Sequence, residues 1–218
     1  MEQAIAQTEA PEFRLSTEKL RSALDMLAKR DGDIAYGLGV AGYPRERRQA
    51  PGFPALLRII AAQQLSAKAA STIHGRLLEL LGDPPRPAAL RAASQEALRG
   101  AGLSRQKIAY ARALADAIED GRFDPDSLAE MADTDAIAAI AANTGFGAWS
   151  ARMYLIFALG RSDVWPADDL GVREGVRKIK GLAQRPSAAE TDEIGALWTP
   201  HRSPAALLCW HVLHNAPG

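Results

Sequence analysis

Residues 135–172 read DAIAAIAANTGFGAWSARMYLIFALGRSDVWPADDLGV. The spacing predicts an Ala/Ile helix that closes at Thr144, Gly145, Phe146 and Gly147, with a second helix opening at once. Two glycines two apart permit a tight hairpin with positive φ and unobstructed backbone amides. Amides at such a turn, and at the start of the following helix, suit a phosphate oxygen. Helix–GxG–helix turns also serve as plain connectors, so the hairpin alone does not separate the two uses.

Outward from this hairpin the chain reads as helix almost throughout. It holds 43 alanines against five valines, at 40, 164, 172, 176 and 212. Alanine is the best helix former, whereas strands draw on β-branched and aromatic residues. An all-α fold is expected. Residues 1–15 read as a flexible tail, tied down at most near Phe13 and Leu15, and residues 16–218 as the folded unit. Thr17 is placed to cap a first helix carrying Leu20, Leu24 and Leu27 on one face. Residues 37–52, rich in Gly, Pro and Arg, read as loop. Helices are predicted over 53–63, 66–81, 104–120, 133–142, 148–159 and 202–213, with short ones around 86–100 after Pro84 and Pro85. A further helix is predicted from Asp168, and the hairpin at about 143–148.

Composition excludes several classes. The chain has 218 residues, 47% hydrophobic, with 26 basic and 26 acidic side chains. That length and apolar fraction support a real core, and the zero net charge argues against binding nucleic acid by bulk charge. The single cysteine, Cys209, excludes a disulfide framework, a CxxC zinc site and a four-cysteine iron–sulfur cluster. Four histidines show no metal-ligand spacing, so no metal and no cofactor are expected. The acidic start lacks a leader pattern and no apolar run is long enough for a bilayer. A soluble cytoplasmic protein without membrane contact is expected. Charge is unevenly spread: residues 99–112 carry Arg99, Arg105, Lys107 and Arg112 without an acid, and residues 113–143 carry eight acids against Arg122. Either these are solvated faces with a few ion pairs, or one side faces phosphate.

Four motifs in order give a sharper reading. GFGAWSAR (145–152) is followed by WPADDLGVR (165–173), and IIAAQQLSAKAA (59–70) precedes them. WTPHRSPAALLCW (198–210) closes the set. Together they resemble the helix-hairpin-helix DNA glycosylase superfamily, most closely its 3-methyladenine glycosylase II branch. The resemblance spans about residues 50–213 and implies a two-lobed all-helical fold with the active-site cleft between the lobes.

The resemblance places the catalytic carboxylate at Asp169. Cleaving an N-glycosidic bond makes the sugar oxocarbenium-like, and a carboxylate beside C1′ stabilises that charge. Helix capping is the ordinary use of an acid here, and it is assigned to Asp168. Trp149 stands where lyase-type relatives carry a Schiff-base lysine, which implies a monofunctional enzyme that leaves an abasic site. Trp149 and Trp210 are the expected aromatic walls of the base pocket, with Met153 and His211 beside them; helix packing is the plain alternative for each. Gln63, Gln64, Leu65 and Ser66 match the turn that enters the minor groove, with Gln64 or Leu65 as the wedge and Lys68 near phosphate. The implied partner is double-stranded DNA containing alkylated bases, bound by a monomer, in base excision repair. A non-catalytic helix-hairpin-helix module binding distorted DNA is the rival reading.

Overall fold

The computed structural model describes residues 13–215. Among them the chain forms twelve α-helices, one short 3-10 turn and no strand. Helix α1 (Thr17–Arg30) and α2 (Gly32–Ala41) pack with α10 (Leu170–Ile179), α11 (Ala188–Ala196) and α12 (Arg202–Asn215) into one lobe. The other lobe holds α3 (Phe53–Ala62), α4 (Ala67–Leu81), α5 (Pro87–Ala92), α6 (Gln95–Gly100), α7 (Arg105–Glu119), α8 (Asp133–Ala141) and α9 (Ala148–Phe157). The chain crosses between lobes twice, along residues 42–52 and 158–169.

Most predicted helices are present, and local chemistry sets their ends. Ser66, Ser94, Ser104 and Ser187 each accept an amide N–H in the first turn of the helix that follows. In α1 the stripe Leu20, Leu24 and Leu27 is fully buried, but the cap is Ser16. Thr17 instead binds the Glu46 carboxylate through its amide at 2.9 Å. Of the expected N-terminal tail, residues 1–12 lie outside the described residues; Phe13 and Leu15 are buried.

The structure corrects the loop reading of residues 37–52 at its start. Residues 37–41 belong to α2, whose N-terminus is capped by Asp31 through the amides of Asp33 and Ile34. Gly37, which argued for loop, lets α2 approach α10 and α12: a Cβ there would sit 3.3 Å from Ile179 and 3.5 Å from Leu208. Helix α11 was not predicted either; it carries a full capping box between Ser187 and Glu190.

The first lobe is locked around two tryptophans. Trp198 is fully buried, and its indole N–H donates to Asp31 Oδ2 at 2.8 Å. Trp165 meets it edge-on at 5.3 Å. The Arg202 guanidinium grips Asp163 with two hydrogen bonds, of 2.9 and 3.0 Å, and its amide adds a third at 3.2 Å. Ser203 Oγ accepts from the Val164 amide and donates to the Val164 carbonyl. The C-terminal motif thus clamps residues 163–165, the approach to Asp169.

Candidate active site

Asp169 is where the structure concentrates its polar chemistry. Its Oδ1 accepts the Val172 amide and the Trp210 indole N–H, each at 2.8 Å. Its Oδ2 accepts the Trp149 indole N–H, also at 2.8 Å. The carboxylate is therefore both the N-cap of α10 and a bridge between two aromatic side chains from different lobes. Close backbone packing makes the bridge possible. At Gly175 a Cβ would lie 2.4 Å from the Cys209 carbonyl oxygen, so only glycine lets α10 lie that close to α12 and bring Trp210 beside Asp169.

The assignment of the cap to Asp168 is corrected by this geometry. Asp168 pairs with Arg152 at 2.9 Å and is half-exposed. The resemblance reserves Asp169 for the sugar and so leaves the cap to Asp168, but α10 starts at Leu170 and its N-cap is Asp169.

Between the lobes, next to Asp169, lies a cavity of about 460 Å³. That volume falls in the range of small-molecule pockets. Trp149, Met153 and Trp210 line it as expected. Phe157 also lines it, with its ring 5.6 Å from that of Trp210. Sequence reading missed Phe157, although 149, 153 and 157 follow a four-residue helical spacing. Arg47, Gln49 and Arg58 were missed as well and carried no motif signal. Arg47 places its guanidinium 5.1 Å over the Phe157 ring. Partial desolvation and the like charge of Arg58 pull its pKa down. His211, expected in the pocket, does not line this cavity. Its Nε2 bonds the Ala41 carbonyl at 2.9 Å and its ring lines a neighbouring groove with His214 and Arg45.

The two turns expected at DNA lie side by side. Gln63 Nε2 donates to the Gly145 carbonyl at 2.8 Å, tying the 63–66 turn to the hairpin. Gln64 holds the left-handed region at φ 56°, unusual for a side-chain-bearing residue. Leu65 is 41% exposed and faces the cavity, Ser66 caps α4, and Lys68 is exposed on its first turn. In the hairpin Gly145 has φ 92°, and a Cβ there would lie 2.4 Å from the Tyr110 ring. Phe146 is buried as its anchor, while Thr144 and Gly147 are exposed. No side chain caps α9, whose first turn is open to an outside acceptor. Of the basic segment 99–112, Lys107 donates to the Ala61 carbonyl at 2.7 Å and Arg112 to the Ala93 carbonyl at 2.9 Å. Burial lowers the Lys107 pKa. Among the described residues no cluster of His, Cys, Asp or Glu has metal-binding geometry, and no helix is long and apolar enough to cross a membrane.

An open hairpin, a protruding turn and a carboxylate at an aromatic-walled cavity between two helical lobes define the helix-hairpin-helix DNA glycosylase class. Comparison with known proteins gives the family. The chain belongs to the HhH-GPD superfamily of base excision DNA repair proteins, whose profile matches residues 57–201. DNA-3-methyladenine glycosylase 1 of Schizosaccharomyces pombe is 34% identical over 158 residues, 71% of this chain and 69% of that protein. The solved structure of an S. pombe 3-methyladenine DNA glycosylase in complex with abasic DNA has a TM-score of 0.81 at 29% identity, covering 87% of this chain and 95% of that one. A DNA-3-methyladenine glycosidase structure from Bacillus halodurans has a TM-score of 0.75 at 32% identity, covering 87% and 88%.

Proposed function

We propose that this protein is an alkylbase DNA glycosylase that hydrolyses the N-glycosidic bond of a flipped, damaged nucleotide and does no strand cleavage. The observation that carries this reading is the Asp169 carboxylate, held by two indole N–H groups on the wall of a base-sized cavity. A relative bound to abasic DNA, the product of such a reaction, supports it.

The hairpin amides 144–147 grip the backbone from the minor-groove side, and the exposed Leu65, beside strained Gln64, fills the space left by the extruded base. The base enters between Trp149, Met153, Phe157 and Trp210, where stacking offsets the cost of leaving the duplex. Asp169 then faces the sugar. A carboxylate has about four acceptor positions, and Asp169 uses three of them on protein donors. The position left on Oδ2 is available to a water. As the C1′–N bond breaks, the electron pair leaves with the base. The carboxylate stabilises the cationic sugar, and the water oxygen bonds to C1′ as its proton passes to Asp169 or solvent.

The test is chromatographic detection of free base from methylated duplex DNA. Release of methylated purine by the native protein and its loss in Asp169→Asn is the expected result. Tight binding of damaged duplex with no base released would overturn the enzyme in favour of a non-catalytic binding module.

A further inference from the structure

The turn at 63–66 is strained, and its own hydrogen bonds do little to hold it. Gln64 sits at φ 56°, a conformation that persists only where surrounding contacts fix it. Within the turn the Gln63 amide reaches the Ile60 carbonyl at 3.4 Å and the Leu65 amide reaches the Ala62 carbonyl at 3.2 Å, both long. Because Leu65 turns to Ala62, the Ala61 carbonyl loses its helical donor. It accepts instead from the Lys107 ammonium, at 2.7 Å, which comes from α7. A lysine on the last carbonyls of a helix stabilises that end, and here it fixes the point where the chain leaves α3.

Helix α7 supports the hairpin as well. Tyr110 lies three residues after Lys107 and so on the same helical face. Its ring fits against Gly145 so closely that a Cβ there would stand 2.4 Å away. The Gln106 side-chain amide donates to the Tyr110 hydroxyl. Gln63 closes the triangle, since its Nε2 donates to the Gly145 carbonyl at 2.8 Å. The same face of α7 continues into Ala111 and Leu114, which are buried and anchor the helix in its lobe. One face of one helix therefore carries both elements expected at DNA, the protruding turn on Lys107 and the hairpin on Tyr110. An ammonium given to a main-chain carbonyl acts on the turn and not on a phosphate.

On the glycosylase reading above, we propose that Lys107 is a positioning residue that holds Gln64 and Leu65 in the protruding conformation and, with Tyr110, keeps that wedge at a fixed offset from the hairpin. Without it the turn relaxes, and Leu65 no longer fills the space left by an extruded nucleotide. The probe is a duplex carrying a tetrahydrofuran abasic analogue with 2-aminopurine opposite it, whose emission reports stacking at the gap and needs no turnover. Saturating native protein should change that emission, and Lys107→Met should give less than about half the change. Lys107→Arg, which keeps a cationic donor, should restore most of it. In a Leu65→Ala background, Lys107→Met should add almost nothing, because both act through one side chain. Thermal melts identify a variant that fails to fold, and Lys107→Gln, polar but shorter, then carries the same comparison. A full emission change in Lys107→Met, or losses that add in the double variant, overturns the proposal. So does a slope of log affinity on log salt that is shallower by about one in Lys107→Met, which marks a phosphate contact. An emission change that depends on Lys107, in a protein that releases no base from methylated duplex, supports this assignment and refutes the glycosylase. Base release with no emission change in the native protein does the reverse.

Discussion

Asp169 caps α10 and, in the proposed reaction, also faces the sugar, two roles that the sequence presents as alternatives. Capping α10 takes one position on Oδ1, the indoles take one on each oxygen, and a position on Oδ2 stays open. Asp169→Asn keeps a capping oxygen but turns an NH2 towards one of three donors and removes the charge. Single-turnover base release should fall by about 10²-fold or more. The unfolding free energy should fall by on the order of 1 kcal/mol. Asp168→Asn removes only a half-exposed pair with Arg152, so its release rate should stay within about twofold of native and its stability within about 1 kcal/mol. A rate in Asp168→Asn as low as in Asp169→Asn would reverse the assignment. The acid pair was visible in the sequence, but which acid caps depends on where α10 starts, and that start, at Leu170, is not marked by local pattern. Trp149 and Trp210 were legible because their motifs are specific. Arg47 and Gln49 were not, because a loop's side chains are assigned to a cavity only by the fold that brings α9 to it.

At the level of elements, the hairpin and the helix caps carry different kinds of constraint. Gly145 needs both positive φ and the absence of a Cβ against Tyr110, whereas Gly147 sits at φ −119° with open space around it. Gly145→Ala should lower stability by about 2–3 kcal/mol in chemical denaturation and weaken duplex binding. Gly147→Ala should keep stability within about 0.5 kcal/mol. Equal losses would show that the GxG pattern acts as flexible spacing and not through one tight contact. The second constraint is Asp31, the cap of α2. Burial works to raise its pKa, but the Trp198 indole, two amides and Lys180 together hold it below the ordinary 3.8. A depressed acid contributes stability in full above its unfolded pKa and loses it as pH falls through the folded value. Asp31→Asn should therefore cost about 1–2 kcal/mol at pH 7, and the gap to the native protein should close below about pH 4. A gap that is constant from pH 7 to pH 3 would remove the charge from the account. These long-range partners also explain why α2 was not legible. Its Gly37 reads as a breaker in isolation, and only packing against Ile179 and Leu208 makes it helical. The apolar helices α3 and α9, of the same length as α2, were by contrast read from local pattern alone.

Across the whole molecule, the two lobes meet at a cavity whose walls hold arginines, a glutamine and aromatics, but no lysine among the described residues. This bears directly on the reaction, because cutting the strand needs an amine that attacks C1′ and forms a Schiff base. The helix after the hairpin offers Trp149 at its second position, with its N–H already donated to Asp169. Lys107 is half-buried on the Ala61 carbonyl. Lys180 lies 2.8 Å from Asp33 and 3.6 Å from Asp31, inside the first lobe. Lys178 belongs to the last turn of α10, at the end away from Asp169. Lys68, on the first turn of α4, comes nearest in sequence to the protruding turn, yet it is its neighbours Ala67 and Ala70 that line the cavity. None of these amines lines the cavity, so on the proposed reaction the abasic product should persist with its strand intact until alkali is added. Incubation with damaged duplex and borohydride should trap no protein–DNA adduct on a denaturing gel, while the same reaction releases free base. An adduct in the native protein that disappears in Lys68→Met would place that amine at C1′ and replace simple hydrolysis with a lyase, while leaving base excision itself in place.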